Sequence, residues 1–124
     1  MKGVAADANK PGARGSSVSW TDVSGNLWLF GGNGVDGSGN FGALNDLWRF
    51  DGSRWTWVSG DNIRGQTGVY GTKGVAADAN KPGSRWGALS WIDTEGNLWL
   101  FGGLGVGTAG TMGMNNALWK YSPL

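Results

Sequence analysis

Short apolar runs alternate with glycine-rich polar stretches along the whole chain, and this punctuation predicts strands rather than helices. Ser16-Ser17-Val18-Ser19-Trp20 forms a first predicted strand, a. The polar stretch Asp22 to Asn26, with Gly25 and Asn26 as turn formers, closes it. Strand b is Leu27-Trp28-Leu29-Phe30, ended by Gly31-Gly32. A glycine-rich stretch from Asn33 to about Leu44 reads as a loop. Strand c is Asp46-Leu47-Trp48-Arg49-Phe50, the turn is Asp51-Gly52-Ser53, and strand d is Arg54-Trp55-Thr56-Trp57-Val58. No segment sustains a 3.6-residue apolar period between its glycines, so no helix is expected. Strand b is apolar at every position instead of every second one, the pattern of a strand covered on both faces.

The same pattern then recurs. Residues 2–53 align without a gap to residues 73–124, and 30 of the 52 pairs are identical. Lys2 to Gly12 returns unchanged as Lys73 to Gly83, and Gly25 to Gly32 as Gly96 to Gly103. Trp20 matches Trp91, and Trp48 matches Trp119. Strand a of the second copy is Gly87-Ala88-Leu89-Ser90-Trp91. Two repeats therefore divide the 124 residues, 1–72 and 73–124, within a single unit.

Composition supports this reading. Twenty-five glycines and nine tryptophans accompany no cysteine and no histidine. Disordered chains are poor in aromatic residues, so this balance points to short strands and tight turns. Ten basic and nine acidic residues leave a net charge of +1, scattered without runs. Such a surface lacks the basic stripe that nucleic acid requires. No apolar run approaches the roughly 20 residues of a membrane span. The first residues lack a signal-peptide apolar core, and the compartment stays open. Thiolate or imidazole metal ligands and Cys or His nucleophiles are excluded. No cofactor and no metal are expected.

Leu27 to Gly32, Asn45-Asp46-Leu47-Trp48-Arg49-Phe50-Asp51 and Trp55 together resemble the kelch repeat family. Leu98 to Gly103 and Asn116-Ala117-Leu118-Trp119-Lys120-Tyr121 repeat the pattern, with Ala117 in place of the aspartate. The resemblance implies an all-β fold of kelch-type β-propeller blades. It implies two four-stranded antiparallel blades, the second lacking its outer strand. Two blades do not close a propeller, which typically needs about 4–8. Completion to a ring by oligomerisation is expected, with a trimer giving six blades. Related modules occur in secreted or cell-surface bacterial proteins. The copper-dependent galactose oxidase family shares the architecture, but its His and Cys are missing here. Tyr70 and Tyr121 are the only tyrosines. The expected function is a non-catalytic interaction module, binding copies of itself and a protein or a glycan. The alternatives are a designed or amplified propeller fragment with no ligand, and an enzyme whose site forms only on assembly.

In an up-and-down blade, the long connections Asn33 to Leu44 and Ser59 to about Ser84 share one face. Long loops on a rigid scaffold carry binding sites. Candidate residues there are Asn33, Asp36, Phe41, Arg64 and Tyr70, with Lys10 and Lys81 paired between copies. Trp86 is the one tryptophan in the aligned region without a counterpart, standing opposite Gly15. Arg14 and Arg85 open strand a in both copies. They either face a central channel or make structural ion pairs, Asp46 being the partner available to Arg14. Gly32 to Gly37 fits G-x-G-x-x-G, but a dinucleotide site needs a helix next, and Ser38-Gly39-Asn40 continues a loop. Asp36 to Asn40 lacks the carboxylates and closing glutamate of a calcium loop.

Overall fold

A computed structural model describes residues 1–107 and 110–123. Thr108, Ala109 and Leu124 lie outside the described set. The fold is all-β with antiparallel sheets, and no helix occurs among the described residues.

The first repeat builds one sheet of five strands. These are β1 (Arg14–Gly15), β2 (Val18–Thr21), β3 (Leu27–Val35), β4 (Phe41–Phe50) and β5 (Trp55–Ser59). β1 and β2 both pair with β3, β3 with β4, and β4 with β5. The expected strands a, b, c and d overlap β2, β3, β4 and β5, though β2 begins only at Val18. The stretch from Asn33 to Leu44 is a correction to the expected loop. Asn33 to Val35 belong to β3, Phe41 to Leu44 belong to β4, and only residues 36–40 turn. The pair Gly31-Gly32 explains the difference. Both adopt positive φ, 63° and 103°, and the ladder shifts register between Phe30 and Gly32. Such a bulge bends a strand without ending it. The ladder then resumes from Gly32 opposite Leu44 to Val35 opposite Phe41. A side chain at Gly31 would lie 2.7 Å from the Arg85 carbonyl oxygen, so glycine is also required for close approach.

The second repeat contains β6 (Arg85–Trp86), β7 (Leu89–Ile92), β8 (Leu98–Phe101), β9 (Leu104–Val106), β10 (Met112–Met114) and β11 (Leu118–Tyr121). Its strands split into two sheets, β7-β8-β11 and β6-β9-β10. The segment Lys2 to Asn9 lies along β5. Gly3 N donates to the Trp57 carbonyl at 2.7 Å, Ala6 bridges Trp55, and Asn9 Nδ2 donates to the Trp55 carbonyl at 3.0 Å.

Register determines which side chains share a face. In the first repeat Val18, Phe30 and Leu47 lie across from one another, as do Trp20 and Trp28. These five are buried and form the core with Leu98 and Leu100 of the second repeat. Ala88, Ile92, Trp119 and Tyr121 pack against the same cluster. The core therefore lies between the two repeats. One face of the first sheet meets the opposite face of the β7-β8-β11 sheet.

Candidate functional site

Strands β1 and β4 bring together a buried ion pair. Arg14 Nη1 donates to Asp46 Oδ1 at 2.6 Å and Nη2 to Oδ2 at 2.8 Å. The Trp48 indole, two residues along β4, donates to Oδ2 at 2.7 Å. Arg14 Nε and Nη1 also donate to the Gly12 and Gly31 carbonyls at 3.0 and 3.2 Å. A bidentate, fully bonded pair of this kind fixes geometry. Arg14 is thus engaged in the ion pair of the two roles considered for it.

The second repeat keeps the arginine and loses its partner. Arg85 is 1% exposed, and its Nε and Nη1 donate to the Gly83 and Gly102 carbonyls, both at 3.1 Å. Ala117 stands where the first repeat has Asp46. Among the described residues, the buried Arg85 Nη2 and Trp119 Nε1 find no hydrogen-bond partner. Tyr70 packs its ring on Trp119 at 5.0 Å, tilted by 50°. Burial pushes the Arg85 guanidinium down from its ordinary value, and the nearby Tyr70 opposes that shift.

A second group gathers at the turn of the β3–β4 hairpin. The Asp36 carboxylate accepts from the backbone amides of Arg64, Asn40 and Ser38, each at 2.9 Å. These bonds, that from Arg64 first, hold it below the usual carboxylate range. The Arg64 side chain returns to donate to the Phe41 carbonyl at 2.6 Å. Asp36 and Arg64 are thus occupied in tying the 59–84 connection to the hairpin, while the Phe41 ring is exposed. Residues 32–37 form a strand and a hairpin turn followed by β4, with no helix after them. No three acidic residues lie together as a metal site among the described residues.

Lys81 Nζ donates to Asp61 Oδ1 at 2.8 Å, and Lys10 is exposed. Asn33 lies within β3 opposite Gly15 and Ala43, and Trp86 is half-buried in β6 opposite Leu104. The candidate residues thus form two local groups, Asp36 with Phe41 and Arg64, and Tyr70 with Arg85. Trp119 belongs with the second group and was not singled out by its sequence. The signal was present, because Trp48 and Trp119 share a spacing of two residues from Asp46 and Ala117.

Several large apolar side chains lie exposed. Repeat-equivalent residues have opposite exposures. Val18 is 7% exposed and its counterpart Leu89 is 66%. Leu47 is 5% and Leu118 is 56%. In the other direction, Leu98 is 2% and Leu27 is 46%. Leu89, Phe101 and Leu118 lie across from one another on the outward face of β7-β8-β11. Trp91 and Trp99 stack beside them at 6.0 Å and 3°. No protein-family model matches the chain, and no similar curated protein was found for it.

Proposed function

We propose that the chain is a non-catalytic β-propeller assembly module of the kelch type, which self-associates by stacking its repeats head to tail. One observation carries this reading. The face that the first repeat buries is the face that the second repeat exposes, and the reverse holds for the opposite faces. Within the chain, Val18, Trp20, Trp28, Phe30 and Leu47 meet Leu98, Leu100 and Tyr121. Outside it, Leu89, Trp91, Trp99, Phe101 and Leu118 repeat the first set, and Leu27, Leu29 and Phe50 repeat the second. A second copy offers each outward face the partner that its equivalent already has.

The resulting contact is heterologous, so it continues until a ring closes or a filament grows. Six blades from three chains is the ring this reading favours. In it the Trp91 indole donates to the Trp28 carbonyl of the next subunit, as Trp20 donates to Trp99 within one chain. Phe50 then packs on the neighbour's Trp99, as Tyr121 packs on Trp28 at 5.6 Å within the chain. The kelch-like strands and the continuous apolarity of strand b support the same arrangement, since blade stacking covers a sheet on both sides. Phe41 and the hairpin turns lie outside the stacked faces and remain open to a protein or glycan partner.

Leu118→Lys tests the reading. A lysine there places a charge in the centre of the stacked face and leaves the intramolecular core untouched. Size-exclusion chromatography with light scattering is expected to show loss of the oligomer with strand content retained by circular dichroism. An unchanged oligomer would place the contact elsewhere.

A further inference from the structure

The two strand-a arginines are a natural control for one another. Both guanidiniums are held by two backbone carbonyls in matching positions, Gly12 and Gly31 for Arg14, Gly83 and Gly102 for Arg85. In the first repeat the remaining donors, together with the Trp48 indole, converge on the Asp46 carboxylate at 2.6 to 2.8 Å. In the second repeat the donors persist and the carboxylate does not. Arg85 Nη2 and Trp119 Nε1 are buried and unpartnered among the described residues.

An arginine does not escape this situation by losing its proton. Burying its charge without a counter-ion is costly, and each unpaired donor adds to that cost. The side chain at 117 ends at Cβ, so the carboxylate group that the first repeat carries at this position is missing from the second. Tyr70 flanks this position through its contact with Trp119, and it is 36% exposed, so it marks the side that reaches solvent.

We propose that the second repeat binds a small carboxylate ion, of the size of formate or acetate, between Arg85 Nη2 and Trp119 Nε1 in the place that Asp46 fills in the first. Two parallel bonds from the guanidinium and one from the indole suit a planar two-oxygen anion. The site takes its shape from the repeat itself and is independent of how copies of the chain assemble.

The test is chemical complementation of a missing side chain. The full chain is titrated with sodium formate against sodium chloride at equal ionic strength. Thermal melting is followed together with the Trp119 indole N–H resonance, assigned with Trp119→Phe. Formate is expected to shift that resonance saturably and to raise the melting temperature by about 3 °C or more, chloride far less. Ala117→Asp supplies the carboxylate covalently, so it is expected to raise the melting temperature by itself and to abolish the formate response. Two results would overturn the site. One is an indole resonance that does not respond to formate in the parent chain, a measurement that needs no variant to fold. The other is a formate response that survives unchanged in Ala117→Asp.

Discussion

The Trp20 indole N–H donates to the Trp99 carbonyl oxygen at 3.3 Å, linking the sheet of the first repeat to that of the second. Trp91, the repeat equivalent of Trp20, carries the same indole on the outward face and is 45% exposed. The same residue in repeat-equivalent strands thus lies covered in one repeat and uncovered in the other.

That difference predicts unequal mutational costs. Trp20→Ala is expected to destabilise the fold by about 3–5 kcal/mol, because it removes a large buried side chain and leaves a cavity. Trp91→Ala is expected to cost the isolated subunit about 1 kcal/mol or less, as surface substitutions do. Denaturant unfolding at a concentration low enough to hold the chain monomeric would compare them. Equal costs would contradict the assignment of covered and uncovered faces.

The ion pair gives a second asymmetry. Asp46→Ala leaves the Arg14 guanidinium buried at 6% side-chain exposure with no carboxylate. Loss of one partner of a buried pair costs about 3–5 kcal/mol. Double substitution with Arg14→Met is expected to recover much of that loss, since the stranded charge goes with it. A single variant as stable as the parent would show that the pair contributes geometry alone. Thermal or denaturant unfolding of the three variants makes the comparison.

Acid stability follows from the turn that precedes strand β8. The Asp93 carboxylate accepts from the Trp99 indole at 2.8 Å and from the Asn97 backbone amide at 3.0 Å. Further bonds come from Asn97 Nδ2 and the Glu95 amide. These donors, the indole first, lower its pKa from 3.8 to about 2. A depressed pKa means that the folded state binds its proton less readily than the unfolded chain. The stability it contributes is complete above about pH 4 and disappears as pH falls towards 2. The Trp99 indole resonance, followed by NMR, is expected to titrate with a midpoint near 2. A midpoint near the ordinary value of 3.8 would show the bonds to be absent in solution.

The strands and the turns at Asp22 and Asp93 were legible because apolar runs and Asx-type turn residues carry their own local signal. The extended hairpin was not. Asn33, Gly34 and Gly42 have little strand propensity, and the main-chain ladder that holds them depends on a bulge at Gly31-Gly32. Of the site, the pairing of Arg14 with Asp46 was one of the two roles the sequence offered for that arginine. Which face of each repeat lies covered was not, because Trp20 and Trp91, or Leu27 and Leu98, are the same residue in the same local pattern. Coverage is a property of neighbours, and two identical patterns differ only in whether a neighbour is present.

The mass of the particle in solution tests the central claim most directly. Sedimentation velocity across a dilution series is expected to resolve a closed species of three times 13.0 kDa, giving way to single subunits only at low concentration. A compact monomer at every concentration would contradict the stacking of exposed face on exposed face.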